Sequence, residues 1–194
     1  MEHENLLWKE ERSKAVFKCR IFSVRESACV SPDNKHGMYM VLDAADWAIV
    51  VPVIDTPHGK KFVMVRQWRH GARELSLEFP GGVIEKGEEP TGAAVRELRE
   101  ETAYAAGKIT KIGECSPNPA IMSNRVHFFL AENLQNMGKQ NLDEDEYVET
   151  ELISAAEVFR SMGQPPYIHA LMGTALSLYL QKTAKDSGLL PANL

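Results

Sequence analysis

The chain has 194 residues, 44% hydrophobic and 25% charged, enough for one globular domain with length to spare and too apolar for long disorder. Its net charge of −5, from 27 acidic and 22 basic residues, argues against an extended nucleic-acid tract, because polymer binders carry basic surface to displace counterions. Cys19, Cys29 and Cys115 form no CxxC pair, so neither a zinc site nor a disulfide framework is indicated.

Met1-Glu2-His3-Glu4-Asn5 lacks the basic start and apolar run of a signal peptide. No apolar stretch is long enough to span a membrane, so a cytoplasmic location is expected. Lys14 to Glu26 alternates loosely and predicts a strand, followed by a turn at Ser31–Gly37 and a partner strand at Met38–Leu42. Ala48–Ile54 and Lys61–Gln67 predict a second hairpin, with Pro52 favouring an edge or bulge.

A helix is predicted from about Pro90 to Tyr104, with proline suited to the first turn and Val95, Leu98 and Thr102 facing the core. Strands are expected at Lys108–Cys115, Arg125–Ala131 and Tyr147–Ile153, with an acidic loop at Asn141–Glu146 before the last. Ser154–Met162 and Ile168–Lys185 read as helices, the second amphipathic through Leu171, Ala175, Leu178 and Tyr179. This alternation of strands and helices predicts a mixed α/β sandwich.

The informative stretch runs from Gly82 through Glu88 to Arg96-Glu97-Leu98-Arg99-Glu100-Glu101. On a helix Glu97 and Glu101 stack one turn apart with Glu100 beside them. Their mutual repulsion calls for a cation. Hard carboxylate oxygens without His or Cys favour Mg²⁺ or Mn²⁺ over zinc. The competing reading is a solvated acidic face balanced by Arg96 and Arg99.

Gly82, Glu88, Arg96, Glu97, Leu98, Glu100, Glu101 and Tyr104 fall on the register of the Nudix hydrolase signature, which this sequence resembles. Ala103 departs from it, standing where the family usually has glycine. The resemblance implies a Nudix-type α/β/α sandwich with a mixed sheet over residues 46–194 and an N-terminal β extension over 1–45. It further implies Mg²⁺, with Mn²⁺ as substitute, held by Glu97, Glu101, Glu100 and the Gly81 carbonyl, Glu100 being a ligand or a base. Glu88 and Arg96 would brace loop to helix.

The Arg66-Gln67-Trp68-Arg69 element, the Glu78-Phe79-Pro80-Gly81-Gly82 turn and the Ser116-Pro117 pair resemble the ADP-ribose and nucleotide-sugar pyrophosphatase branch. That branch implies hydrolysis of a small nucleoside diphosphate derivative to a nucleoside monophosphate and a sugar phosphate. A late-loop glutamate would complete the catalytic set, Glu144 first and Glu146 second, with a solvated acidic loop as the alternative for each. Arg69 and Gln67 would bind phosphate or sugar. For Arg66 an exposed strand-end charge is preferred to a ligand contact, and for Trp47 or Trp8 packing is preferred to stacking on a base. The N-terminal extension implies a homodimer. Dinucleoside polyphosphates or nucleoside triphosphates as substrates, and a nucleotide-sugar sensor without turnover, are the competing functions.

Overall fold

The computed structural model describes residues 3–144 and 146–186, leaving Asp145 of the acidic run outside. Contacts divide the chain into a first unit reaching to Asp46 and including Ser116–Arg125, and a second formed by Trp47–Cys115 and the chain from Val126. The sequence places 116–125 with the larger domain, and the division differs there. Non-local hydrogen bonds are the reason. Leu42 N–H donates to the Ile121 carbonyl at 2.7 Å and Ser123 N–H to the Leu42 carbonyl at 3.1 Å. Asn124 Nδ2 reaches the Ala45 carbonyl at 3.1 Å.

The first unit is an antiparallel sheet of β1 (Lys9–Lys18), β2 (Phe22–Val30) and β3 (His36–Ala44). The single strand expected over 14–26 is therefore two. A turn splits it, closed by Cys19 N–H donating to the Phe22 carbonyl at 3.0 Å. Arg25 holds the three strands together, with Nη1 on Glu10 at 2.5 Å and Nε on Asp43 at 3.0 Å.

The second unit is built on a seven-stranded mixed sheet. Its path runs β10 (Val148–Ser154), β5 (Gly59–Arg69), β4 (Trp47–Thr56), β9 (Val126–Asn136), β8 (Tyr104–Cys115). Here β6 (Glu74–Glu78) joins β5, and β7 (Gly81–Val83) joins β4. The β4–β9 pair is parallel, and its neighbours on the path are antiparallel. Pro52 lies in a central strand, not at the edge expected for it. It sits where β4 ends its ladder with β9 and takes up β5 at Val53.

Alternation along β4 and β9 sends side chains to two cores. Ile49, Val51, Val53, Phe128 and Leu130 pack with α2 (Ala155–Ser161) and α3 (Ala170–Asp186). Ala48, Val50, Phe129 and Ala131 pack with α1 (Pro90–Thr102) on the other face. This is the α/β/α sandwich that the sequence predicts. Among the described residues no helix is long and apolar enough to cross a membrane. All three cysteines are free and half-buried.

Candidate active site

Helix α1 begins with Pro90 at its first turn, as expected, and buries Ala93, Ala94, Glu97, Leu98, Glu101 and Thr102. Val95 is exposed, contrary to the expectation. The buried stripe is centred on Ala94, Leu98 and Glu101, which leaves Val95 beyond its margin. Two glutamates thus lie on the buried face of a helix, where burial of unpaired charge is costly.

Gly81 and Gly82 let the β7 turn approach that face. A Cβ on Gly81 would run into the Ala48 carbonyl, which is backbone and cannot yield. A Cβ on Gly82 would lie 2.5 Å from Glu97 Oε1. The Gly81 N–H donates to Glu101 Oε2 at 2.8 Å. Burial, only partly offset by that bond, pushes Glu101 up to about 8, with the charges of Glu97 and Glu146 adding to the rise. Burial likewise raises Glu97, against the opposing pull of Arg96.

Arg96 joins the remaining acids. Its Nε and Nη2 lie 3.0 Å from the two Glu88 oxygens, and Nη1 reaches Glu97 at 2.8 Å and Glu100 at 3.1 Å. Nη2 also donates to the Val83 carbonyl at 3.1 Å, so loop and helix are braced by one guanidinium. The competing reading has Arg99 balance the acids as well. Arg99 donates instead to the Lys139 carbonyl at 3.1 Å.

Among the described residues no three His, Cys, Asp or Glu side chains already converge as a metal cluster. The donor set nonetheless suits a hard divalent cation. Glu97 and Glu101 are desolvated carboxylates one turn apart, and Glu101 has no arginine bonded to it. A divalent cation offsets both charges at once and prefers oxygen ligands.

Of the residues proposed for substrate, Arg69 has its Nε and Nη2 on Glu78 at 2.8 and 2.6 Å. That edge is taken, which leaves the Nη1–Nη2 edge, with three N–H donors, for a phosphate. Arg66 is not the exposed strand-end charge expected: it lies within β5 between Glu149 of β10 and Leu77 of β6, half-buried, and pairs with Glu151 at 2.5 Å. Gln67 lies in β5 opposite Val148 and Ser76. Trp47 packs against the larger core, and Trp8 meets Tyr39 edge-on at 5.3 Å. Glu144 and Glu146 are exposed, and the charge of Glu146 contributes to the rise of both Glu97 and Glu101.

Sequence reasoning missed the buried role of Glu78, which also accepts from His169 Nδ1 at 2.9 Å. It also missed Gln140 and Thr150, whose side chains bond the Glu101 carbonyl. No local pattern announces such partners.

Residues 46–172 match the family profile described as the NUDIX domain. The chain belongs to the Nudix family. It is 45% identical over 100 residues to an ADP-ribose pyrophosphatase of Bacillus subtilis, covering 51% of this chain and 54% of that protein. It is 44% identical over 75 residues to an ADP-sugar pyrophosphatase of Mus musculus, covering 38% and 33% respectively. The Escherichia coli ADP compounds hydrolase NudE is 29% identical over 126 residues, covering 62% and 64%. The chain spans about half the length of the first two curated relatives it matches. A solved ADP compounds hydrolase superposes with a TM-score of 0.80 over 96% of this chain and 100% of its own, at 22% identity. That likeness establishes a common fold.

Proposed function

We propose that this Nudix protein hydrolyses the pyrophosphate bond of ADP-ribose or a related nucleoside diphosphate sugar, releasing a nucleoside monophosphate and a sugar phosphate. The observation that carries the reading is the pair Glu97 and Glu101, buried 8% and 4% exposed on α1 behind the Gly81–Gly82 turn. Two desolvated carboxylates there have a chemical use when they hold a cation, and little structural use otherwise.

Glu97, Glu101, Glu100 and the Gly81 carbonyl would hold Mg²⁺, with Mn²⁺ as substitute. Bound there, the metal supplies neutralisation of the diphosphate and a more acidic water. Around it the chain's own groups have separate tasks. Arg96 holds Glu88, Glu97 and Glu100 in register. Arg69, through its free Nη1–Nη2 edge, and Gln67 would orient the diphosphate. Glu146 would take the proton as a water oxygen attacks one phosphorus and the bridging oxygen leaves with its electron pair. The contribution of its charge to the rise of Glu97 and Glu101 supports it as the base.

The ADP-containing substrates named for the curated relatives support the choice of substrate class. A homodimer is part of the reading. It is supported by exposed Val16, Phe17, Met38, Tyr39 and Met40 on β1 and β3, and light scattering at micromolar concentration tests it.

The test of function is product analysis with Mg²⁺ and a panel of ADP-ribose, GDP-mannose, UDP-glucose, diadenosine polyphosphates and nucleoside triphosphates. AMP and ribose 5-phosphate from ADP-ribose are expected. Preference for a polyphosphate would move the substrate class, and tight binding without turnover would replace the enzyme by a sensor.

A further inference from the structure

The C-terminal turn of α1 ends at Ala103, whose left-handed φ of 63° breaks the helix. A helix end leaves its last carbonyls without intrahelical donors. Residues 137–141, between β9 and the acidic loop, supply several of them. Met137 N–H donates to the Ala103 carbonyl at 2.8 Å and Asn141 N–H to the Glu100 carbonyl at 3.0 Å. Arg99 reaches out from the helix to the Lys139 carbonyl.

Gln140 stands at the centre of this seam. Its Nε2 donates to the Glu101 carbonyl and, at 3.2 Å, to the Val148 carbonyl. Two carbonyls accept only, so the amide orientation is fixed by its partners. Thr150 Oγ1 donates to the same Glu101 carbonyl at 3.1 Å and lies 3.2 Å from Gln140 Nε2. One side chain thus joins the end of the carboxylate helix, the start of β10 and the root of the acidic loop.

Glu146 stands two residues before Val148, so its Cα lies within about 7 Å of that anchor. Glu144 is four residues away and can stand about twice as far off. Glu146 is further shaped locally, its N–H donating to the Asp143 carbonyl at 3.1 Å and its Oε2 accepting from Asp143 N–H at 3.3 Å.

We propose that Gln140 is a positioning residue, which sets the reach of the Glu146 carboxylate toward Glu97 and Glu101 by tying the root of the acidic loop to the Glu101 carbonyl. It touches neither substrate nor metal. This rests on the reading of the site as a pyrophosphatase with Glu146 as its base. Catalytic geometry is sensitive at this scale, since a displacement of about 1 Å can cost on the order of a hundredfold in rate.

The experiment is a double-mutant cycle between Gln140→Leu and Glu146→Gln, with Mn²⁺ binding followed by electron paramagnetic resonance on every variant. Gln140→Leu is expected to lower kcat at least tenfold with KM and Mn²⁺ affinity within twofold. Gln140→Glu, whose oxygens cannot donate to the two carbonyls when ionised, is expected to show the same loss, and Gln140→Asn less than full rescue. In the Glu146→Gln background the Gln140→Leu loss should vanish. An equal loss in both backgrounds overturns the proposal, and so does full activity in Gln140→Leu. An inert wild type, or a Glu146→Gln variant with wild-type kcat, would instead fault the underlying reading. Hydrogen exchange at the Asn141 amide then tests the seam without turnover: faster exchange in Gln140→Leu is expected, and unchanged protection counts against it.

Discussion

Glu78 receives Nε and Nη2 of Arg69 on its two oxygens, at 2.8 and 2.6 Å, while its own side chain is 2% exposed. His169 adds a third contact to Oε2 at 2.9 Å. Burial by itself would raise this carboxyl, but the bonds from Arg69 and His169 overrule it and hold Glu78 well below the usual carboxylate range. The pair fixes Arg69 at the end of β5.

Removing the charge should therefore cost stability in a pH-dependent way. A carboxyl depressed in the folded state stabilises above its unfolded value, near 4.5, and loses that contribution as pH falls through the folded value. Glu78→Gln is expected to cost about 3 kcal/mol at pH 7, the lower end for breaking a buried pair because Arg69 is partly solvated. Urea midpoints of both proteins should converge progressively below about pH 4.5. A gap that stays constant from pH 6 to pH 3 would show that the ion pair is not its source.

The two glycines of the β7 turn should behave differently on substitution. Gly81→Ala meets backbone at Ala48 and should destabilise by about 3 kcal/mol or more. Gly82→Ala meets the flexible end of Glu97, so the fold should survive while Mn²⁺ affinity falls at least tenfold. Thermal melts with metal titrations separate the cases. Equal metal affinity in wild type and Gly82→Ala would detach that glycine from the site.

Glu101→Gln keeps an acceptor for the Gly81 N–H but removes a carboxyl that burial holds largely protonated at pH 7 in the metal-free protein, a cost in free energy that the unfolded chain does not bear. In the presence of chelator it should be more stable than wild type by about 1 kcal/mol, and with Mg²⁺ its turnover should fall more than a hundredfold. A variant less stable than wild type in chelator would mean that the charge is already compensated inside the protein.

The acidic loop offers two glutamates to compare. Glu146→Gln is expected to lower kcat by about a hundredfold, and Glu144→Gln to stay within threefold of wild type. The reverse order in steady-state kinetics would restore Glu144, which the sequence ranks first, as the base.

Much of the site was legible because its chemistry is local. Glu97, Glu100 and Glu101 share one helix by spacing alone, and Gly81-Gly82 stand one short loop before it in the chain. The helical period placed Leu98 and Thr102 inside correctly and misjudged only Val95, at the edge of the stripe. The split of 14–26 into two strands was not legible, since a turn without glycine or proline leaves no mark in the composition.

The sequence by itself determined the layers of the second unit, the carboxylate helix and the family, because periodicity and short-range spacing survive without tertiary context. Only the tertiary structure decided which edge of Arg69 is free, where residues 116–125 belong, and what caps the last carbonyls of the carboxylate helix. Each of those depends on partners distant in sequence. Glu78 and His169, Leu42 and Ile121, and Gln140 and Glu101 are set side by side by sheet register and helix packing, and no pattern within either segment encodes the meeting.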